Sequence, residues 1–373
     1  MNTALLMLRR QVLPWRNRLI SNPRFRALAN RLWPARWVAR NQARELFDII
    51  AGFTYSQILL ACVRLDLFTR LKASPQSAAA LASSSELDEA AWQELLLAAE
   101  SLQLVANVGR NEFTLGRLGA VVAADRSIQA MVLHHDNLYR DLVDPVALLQ
   151  GQVHNSALGE YWPYATKDSI SPEAAQRYSS LMAASQPMVA EQVTGAFDFT
   201  PFKTIMDVGG GNGAFLRAVA AAAPHLSLRL FDLPPVADLA RDALAKAGLA
   251  ARCEVHGGDF RADELPTGAD LISLIRIAHD HNDDTVLLLL EKIHRSLMPG
   301  GTLLIAEPMA GTAHARRMGD AYFRLYLKAM GTGRPRTFDE LKDLLQRSGF
   351  AEVQSRATAI PMLARVVTAQ RDT

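Results

Sequence analysis

Residues 205–213 read Ile205-Met206-Asp207-Val208-Gly209-Gly210-Gly211-Asn212-Gly213, an apolar run that ends in an acid and a glycine-rich turn. A run of good helix formers follows, from Ala214 to Ala223, and Pro224 closes it. Strand, tight turn and helix in this order form the opening unit of a nucleotide-binding α/β sheet. Glycines let the backbone of such a turn pass close to a ligand, at φ values that other residues resist.

The position of the acid in this turn separates two kinds of ligand. The motif is Asp-x-Gly-x-Gly-x-Gly, with Asp207 followed by Gly209, Gly211 and Gly213. A pyrophosphate cofactor favours a turn without a carboxylate, because the helix N-terminus serves the phosphates. A ligand with a cationic amine and a sulfonium tolerates one. We therefore predict that these four residues bind S-adenosylmethionine rather than NAD; the alternative is a glycine-rich turn without a ligand.

Strand and helix patterns alternate regularly after the glycine turn. The predicted strands end in polar or aromatic residues, and a hairpin over 353–369 closes the chain. This order predicts a Rossmann-like α/β domain with a mixed sheet of seven strands. Open α/β sheets bind ligands at the carboxyl ends of their strands. The strand-end residues that we expect at the site are therefore Asp232, Asp259, Phe260, Arg276, His279 and Glu307.

Five further residues complete the predicted cofactor site. Asp232 lies 19 residues after Gly213, at the spacing expected for an acid that accepts hydrogen bonds from ribose hydroxyls. The alternative is that Asp232 is only an acid in the turn at the end of a strand, without a ligand role. Asp259 and Phe260 suit the exocyclic amine and the ring of adenine. We also assign to the cofactor Arg276 and Ser185, which lies on a predicted helix over 178–193.

His279 is the predicted catalytic base. Histidine titrates near neutrality, and Glu307 closes the next strand, where it could orient the imidazole. His281 is the competing base. Asp280, Asp283 and Asp284 could also form a metal site with the histidines, but acids at this point suit the cap and first turn of the next helix. We therefore predict no metal.

The part of the chain before the glycine turn divides into two predicted regions. Residues 45–160 form a mainly helical, winged-helix-like domain, since helix, helix and hairpin succeed one another over 45–120. Its recognition-type helix carries Glu89, Glu94 and Glu100 and no basic residue, whereas phosphate contacts need Lys or Arg. We therefore predict no nucleic-acid partner and expect a homodimer. Residues 161–373 form the predicted catalytic domain.

Residues 1–44 form a basic arm with ten arginines and no acid, which leaves 30 basic against 38 acidic side chains elsewhere. Together with Trp15, Trp33 and Trp37, this composition suits contact with an anionic membrane surface. The alternative is a solvated or partner-packed helical arm, broken at Pro14, Pro23 and Pro34. No apolar run reaches the ~18 residues of a membrane span, and two cysteines suit a reducing compartment. We expect a cytoplasmic protein at the periphery of the inner membrane.

Several motifs carry a family resemblance that covers most of the chain. The C-terminal two-thirds resembles the plant-type, class I S-adenosylmethionine-dependent O-methyltransferases of small molecules, such as the caffeate and acetylserotonin enzymes. Segments 44–57, 181–187 and 279–281 are similar to the bacterial carotenoid O-methyltransferases that act on demethylspheroidene or hydroxyneurosporene. The resemblance rests on Asp207 to Gly213, Phe231-Asp232-Leu233-Pro234, Gly258-Asp259-Phe260, Arg276 to Asp280 and Arg336-Thr337-Phe338.

The resemblance implies that His279 is the catalytic base, that Glu307 is its partner, and that the N-terminal domain dimerises. This chain departs from the plant enzymes at two positions. It has His281 where they have tryptophan, and Pro335 where they have a second catalytic glutamate. The missing carboxylate argues against a plant-like phenolic substrate.

We therefore predict that the enzyme methylates a hydroxyl of an apolar small molecule, the tertiary 1-hydroxyl of an acyclic carotenoid. The alternatives are a methyltransferase of a soluble phenol or polyketide, and a non-catalytic winged-helix regulator that binds S-adenosylmethionine. An apolar tunnel between the domains would hold a polyene; its expected lining is Met182, Phe323, Tyr326 and Met330, although these residues suit a core equally. The aromatic run Tyr161-Trp162-Pro163-Tyr164 lines a pocket or, as we favour, fills a core.

Overall fold

The computed structural model describes residues 3–29, 31, 33–162, 164 and 171–372. The chain divides into two compact units, residues 1–123 and 124–373. The predicted domain boundary at residues 160/161 lies inside the second unit.

The first unit is mainly helical, and its small sheet has the strand order β1-β3-β2. The hairpin predicted after residue 105 is present as β2 and β3, and Asp88 caps α6 by accepting a hydrogen bond from the backbone N–H of Ala91. The elements are α1 Thr3–Ser21, α2 Pro23–Ala29, α3 Trp33–Arg64, α4 Leu67–Ala73, β1 Gln76–Ser77, α5 Ala78–Ala82, α6 Glu89–Ser101, β2 Val105–Gly109, β3 Glu112–Leu115 and α7 Arg117–Ala124.

The N-terminal arm is more continuous than its prolines predicted. Helix α1 runs through Pro14, where we expected a break, whereas Pro23 and Pro34 do lie at the starts of helices. A proline inside a helix removes one backbone hydrogen bond, but the carbonyl left without it can be hydrated when the helix is exposed, as α1 is. Helix α3 extends across residue 44, so the arm and the following helical region share one element.

Helix α3 contains the segment Ala35–Arg64, which is long and apolar enough to cross a membrane by length and composition alone. Its most apolar window has a mean hydropathy of 1.7, and only 11% of that window is buried in the structure. Core helices and signal sequences can meet the same criterion, so length and composition do not establish a span.

The second unit is an α/β domain. Among the described residues, seven strands form one sheet in the order β6-β5-β4-β7-β8-β10-β9, in which β10 runs antiparallel to β8 and β9 and the other pairs are parallel. The predicted mixed sheet is therefore confirmed. Its elements are α8 Arg126–Asp141, α9 Pro145–Leu149, α10 Ala157–Tyr161, α11 Pro172–Ala196, β4 Thr204–Val208, α12 Ala214–Ala222, β5 Ser227–Asp232, α13 Pro234–Lys246, β6 Cys253–Gly257, β7 Ala269–Ile275, α14 Asp283–Ser296, β8 Leu297–Glu307, α15 Phe323–Met330, α16 Phe338–Arg347, β9 Phe350–Arg356 and β10 Arg365–Arg371.

The sheet separates two apolar cores. Helices α11, α12 and α13 cover one face, where Phe215 and Val219 pack against Leu228 and Leu230. Helices α14 and α16 cover the other face, where Leu289 and Leu344 contribute. The central strands β4 and β7 and the second half of β8 are buried on both faces, which is why they read as nearly continuous apolar runs in the sequence.

Candidate active site

A cavity of about 930 Å³, solvent at its mouth included, lies at the carboxyl ends of the parallel strands. The glycine loop, the ends of β5, β6 and β7, and helix α11 contribute its walls. The lining residues include Tyr164, Tyr178, Met182, Gln186, Gly209, Gly210, Gly211, Asp232, Asp259, Phe260, Arg261, Arg276, Asp280 and His281.

Two of the three predicted glycines, Gly209 and Gly211, line this cavity, and Gly213 is the N-cap of α12. Gly209, Gly211 and Gly213 have φ values of 70°, 58° and 75°, in the left-handed region that favours glycine. A Cβ on Gly211 would have no atom of the described residues within 4 Å, although Gly211 lines the cavity. The backbone at Gly211 is therefore open to close approach by a ligand.

Asp232 ends β5 and holds the glycine loop. Its two carboxylate oxygens accept hydrogen bonds from the backbone N–H groups of Gly211 and Leu233, both at 2.7 Å. Burial raises the pKa of Asp232 to about 6, although these two N–H groups act in the opposite direction. The carboxylate lines the cavity, as its predicted ribose role requires.

Asp259 and Phe260 also line the cavity, and each has a neighbour that the sequence pattern did not indicate. The Arg261 guanidinium donates to the Asp259 carboxylate at 2.8–3.1 Å. Burial acts to raise the pKa of Asp259, but Arg261 holds it below its ordinary value. The ring of Phe260 meets the imidazole of His281 edge to face at 5.3 Å. His281 therefore belongs to the wall where we predict adenine.

Arg276 joins the end of β7 to helix α11. Its guanidinium donates to Ser185 Oγ at 2.9 Å and to Gln186 Oε1 at 2.5 Å, across about ninety residues of sequence. Its backbone has a φ of 60°, unusual for a residue with a Cβ. Arg276 lines the cavity, and so does Met182 on the same helix. The structure thus brings together two cofactor predictions, Arg276 and Ser185.

Asp207 lies beneath the glycine loop and is not among the lining residues. It is 1% exposed, and Ser273 Oγ donates to its carboxylate at 2.7 Å. A Cβ on Gly210 would meet an Asp207 oxygen at 2.9 Å, so the carboxylate supports the turn from below. Burial raises the pKa of Asp207 to about 7.

His279 lies in a single 3-10 turn, Ala278–Asp280, that follows β7. It is 4% exposed and is not among the residues that line the cavity. Its Nε2 lies 3.2 Å from an Asp280 carboxylate oxygen, and its Nδ1 has no hydrogen-bond partner among the described residues. The Glu307 carboxylate accepts the backbone N–H of His279 at 3.0 Å. In this structure Glu307 therefore holds the main chain of the turn, and Asp280 contacts the ring.

Arg336 braces this turn from the protein interior. Its fully buried guanidinium donates to the carbonyls of Ala278 and His281 at 2.6 and 2.8 Å, and to the Asp283 carboxylate at 2.6–2.9 Å. Asn282, rather than an acid, caps helix α14, and Asp283 pairs with both Arg336 and Arg334. Within the described ranges, no three His, Cys, Asp or Glu side chains are placed to hold a metal ion.

Three of the four predicted substrate contacts lie outside the cavity lining. Tyr326 and Met330 belong to a buried cluster, in which Tyr326 Oη accepts from Trp162 Nε1 at 2.8 Å and lies 2.7 Å from His134 Nε2. Phe323 packs against the His279 ring at 5.5 Å. Within the aromatic run, Trp162 is core, Tyr164 lines the cavity, and Pro163 lies outside the described residues.

Several lining residues escaped the sequence analysis as site residues. Gln186 and Arg261 fall on no predicted strand end or glycine motif, so no local pattern indicated them, and Tyr164 belongs to the aromatic run for which we favoured a core. Asp280 did follow the predicted base directly, but it was assigned to the start of the next helix. The Tyr164 hydroxyl donates to Asp280 at 2.8 Å over a separation of 116 residues, which no sequence window can detect.

The fold and the cavity define a class of protein before any comparison is made. A doubly wound sheet with a glycine turn and a strand-end acid around one cavity is a nucleotide-type cofactor domain of an enzyme. The family model described as an O-methyltransferase domain matches residues 139–351. The chain belongs to this family, and the predicted enzyme class is confirmed.

Named relatives agree with this assignment. Two relatives are named demethylspheroidene O-methyltransferase. The one from Cereibacter sphaeroides is 43% identical, and the match covers 95% of this chain and 94% of that protein. The one from Rhodobacter capsulatus is 40% identical, and the match covers 95% of this chain and 88% of that protein. A solved structure of the mitomycin 7-O-methyltransferase MmcR is 27% identical, has a TM-score of 0.75, and covers 90% of this chain and 99% of that one.

The family assignment also confirms S-adenosylmethionine as the cofactor, and the residues of the cavity fit it. The open backbone at Gly211 allows close approach, Asp232 presents a carboxylate for hydroxyl donors, and Phe260 presents an aromatic face. The Arg276 guanidinium suits the carboxylate of an amino acid. When bound, this cofactor supplies an electrophilic methyl group on a sulfonium.

Proposed function

We propose that this enzyme methylates the tertiary 1-hydroxyl of an acyclic carotenoid of the demethylspheroidene or hydroxyneurosporene type. The observation that carries the proposal is 40–43% identity over 95% of the chain to two relatives named for that reaction. A relative named for a mitomycin 6-O-methyltransferase is only 29% identical over 83% of the chain. The absence of a glutamate at Pro335 supports an acceptor that is not a phenol.

The chemistry required of the protein is alignment and proton removal. A tertiary alcohol is far less acidic than a phenol, so its full deprotonation before attack would be strongly uphill. Proton loss must therefore accompany methyl transfer, with a base held close to the hydroxyl. The turn of residues 278–280, fixed by Arg336 and Glu307, is the segment suited to present that base.

The test of the proposed function is a methylation assay. Purified full-length protein is incubated with methyl-labelled S-adenosylmethionine and detergent-dispersed hydroxylated acyclic carotenoids, alongside a panel of phenols. We expect label in the carotenoid fraction. Label in phenols alone would agree with an O-methyltransferase but would contradict the proposal that its acceptor is a carotenoid. Tight cofactor binding without transfer to any acceptor would instead favour a regulator.

We further propose that residues 1–44 contact an anionic membrane surface, which would place the enzyme on the cytoplasmic side of the inner membrane. Ten arginines without an acid support this contact, and so do Trp15 and Trp37, which are 65% and 66% exposed. The Trp33 side chain lies outside the described residues. Near an anionic surface each arginine contributes about 1 kcal/mol.

Vesicle sedimentation tests this contact. The full chain should bind vesicles that contain phosphatidylglycerol, bind phosphatidylcholine vesicles weakly, and lose binding at high salt because charges are screened. Replacing Arg9, Arg10, Arg16 and Arg18 with glutamine should release the protein from anionic vesicles. Equal binding to both vesicle types would contradict an electrostatic contact.

We also propose a homodimer formed through the first unit. Supporting it, the α3 residues Leu46, Phe47, Ile49, Ile50 and Phe53 are 59–73% exposed in the single chain. A cluster of large apolar side chains of this kind is typical of a protein–protein contact. Light scattering should give twice the chain mass, and Ile49→Ser with Phe53→Ser should give a monomer. A monomeric parent protein would exclude the proposal.

A further inference from the structure

His281 places a buried polar ring in the wall of the cavity where we predict adenine. The residue is 7% exposed, and its imidazole meets the ring of Phe260 edge to face at 5.3 Å. The ring of Tyr164, which also lines the cavity, lies at a centroid distance of 6.4 Å. The imidazole nitrogens of His281 make no hydrogen bond with the part of the chain that the structure describes. Buried polar groups nearly always have a hydrogen-bond partner, so we expect a ligand in the cavity to supply one.

The main chain of His281 is held by the protein interior. Its carbonyl accepts a hydrogen bond from the buried Arg336 guanidinium at 2.8 Å, and its N–H donates to the Ala278 carbonyl at 3.4 Å. The next residue, Asn282, caps helix α14 by accepting from the backbone N–H of Thr285 at 2.9 Å. The imidazole therefore extends from a firmly held segment, which is what precise recognition of a ligand requires.

The neighbouring carboxylate does not provide every contact that an adenine needs. Asp259 is an acceptor only, and it already accepts from the guanidinium and the backbone N–H of Arg261 at 2.8–3.1 Å. A carboxylate suits the exocyclic amine of adenine, which is a donor. The ring nitrogens of adenine are acceptors, however, and need an N–H group as their partner.

The imidazole of His281 carries such an N–H group. Burial and the charges of Arg261 and Arg336 lower the pKa of His281 to about 4, whereas Asp259 acts in the opposite direction. The ring is therefore neutral near pH 7, with one N–H donor and one acceptor nitrogen. A neutral donor also adds no positive charge beside Arg261.

We infer that His281 is a specificity-determining residue of the cofactor site, whose imidazole N–H donates a hydrogen bond to a ring nitrogen of adenine. Phe260 packs against the imidazole, Asp259 serves the exocyclic amine, and Arg261 positions the Asp259 carboxylate. This role concerns the cofactor alone and does not depend on which acceptor the enzyme methylates. It gives His281 no part in proton removal.

Calorimetric titration with S-adenosylhomocysteine, the cofactor without its transferable methyl group, tests this role without an acceptor. The parent protein is titrated with S-adenosylhomocysteine and with its 1-deaza, 3-deaza and 7-deaza analogues, each of which has C–H in place of one ring nitrogen of adenine. At least one analogue should bind about tenfold more weakly, because its partner N–H is left buried without an acceptor. Parent affinities that are equal for all four ligands overturn the inference.

His281→Phe and His281→Gln separate a hydrogen bond from packing. Phenylalanine keeps an aromatic ring beside Phe260 but has no N–H, whereas glutamine keeps a donor. His281→Phe should bind S-adenosylhomocysteine about tenfold more weakly than the parent. It should also bind one of the weak analogues as well as it binds S-adenosylhomocysteine, and His281→Gln should retain part of that difference. His225→Phe, which changes an exposed histidine before the start of β5, is the control and should match the parent.

Two results with His281→Phe contradict the role. Parent-like affinity for S-adenosylhomocysteine would show that the ring only packs, and parent-like discrimination against every weak analogue would show that another group binds the ring nitrogens. Urea unfolding is measured for each variant. If His281→Phe does not fold, His281→Met takes its place, because methionine also lacks a donor and adapts to irregular spaces. None of these titrations uses an acceptor, so their failure leaves the proposed carotenoid acceptor unaffected.

Discussion

The Glu307 carboxylate accepts a hydrogen bond from the backbone N–H of His279 at 3.0 Å, while the imidazole of His279 faces Asp280. Glu307 is fully buried, and its Oε1 has no hydrogen-bond partner among the described residues. Burial raises its pKa to about 7, with Arg336 acting in the opposite direction. A carboxylate in this position fixes the backbone of the Ala278–Asp280 turn at the expense of its own solvation.

Replacing Glu307 with glutamine should therefore change how stability depends on pH. A carboxyl whose folded pKa is raised above its unfolded value stabilises the fold at low pH and loses this contribution as pH rises through the folded pKa. The window here runs from about 4.3, the unfolded value, to about 7. The free energy of unfolding of Glu307→Gln minus that of the parent should be higher at pH 8 than at pH 5, by on the order of 2 kcal/mol.

Urea unfolding at these two pH values measures this difference. The exposed Glu264→Gln serves as the control, for which we expect the same offset from the parent at both values. Comparing each variant with the parent removes the contributions of Asp207 and Asp232, which titrate in both proteins. An offset for Glu307→Gln that does not depend on pH would show that the carboxylate remains charged throughout.

Gly209→Ala and Gly211→Ala should separate folding from cofactor binding. Both positions have positive φ, which costs an alanine roughly 1–2 kcal/mol. A Cβ on Gly209 would also overlap Ile277, adding about 1–3 kcal/mol of overpacking. A Cβ on Gly211 meets no protein atom but projects where the ligand approaches. Gly211→Ala should thus be the more stable variant in urea, yet bind S-adenosylmethionine at least about tenfold more weakly by calorimetry, a loss of 1.4 kcal/mol. Parent-like affinity would exclude close approach at Gly211.

Asp232→Asn should weaken cofactor binding without unfolding the domain. The carboxylate offers two oxygens to backbone N–H groups and to hydroxyl donors, whereas the amide offers one oxygen and no charge. Hydrogen bonds to a charged acceptor contribute about 1.5–3 kcal/mol, so we expect an increase in Kd of about 10- to 100-fold. Calorimetric titration measures it. An unchanged Kd would mean that Asp232 serves only the turn.

Arg336→Lys should be among the most destabilising single changes in the second unit. Lysine keeps the charge but cannot reach two carbonyls and a carboxylate with one ammonium group. Arg336 is fully buried although Asp283 is 42% exposed, and each buried carbonyl left without a donor costs about 1–3 kcal/mol. Arg334→Lys is the matched control, because Arg334 also pairs with Asp283 but is 37% exposed, and a pair at such a site contributes about 0–1 kcal/mol. Equal urea midpoints for the two variants would contradict the bracing role.

The methyltransferase domain was largely predictable from local patterns. The apolar run before Gly209, the glycines themselves and the helix formers after Gly213 each favour one backbone conformation within a few residues, so strand, turn and helix follow. The same holds for the terminal hairpin. The arm was less predictable, because solvation of an exposed helix, rather than any local preference, decides whether it tolerates Pro14.

The sequence by itself determined the order of the elements, the class of the enzyme and several residues that line the cavity, because backbone preference and strand-end position act over short windows. Only the tertiary structure decided which side chains face the cavity and which support them from behind. Tyr164 meets Asp280 across 116 residues, and Arg336 reaches Ala278 across 58. Such contacts depend on how elements far apart in the sequence pack together. That packing decides which buried polar groups need a hydrogen-bond partner, and no local sequence pattern contains this information.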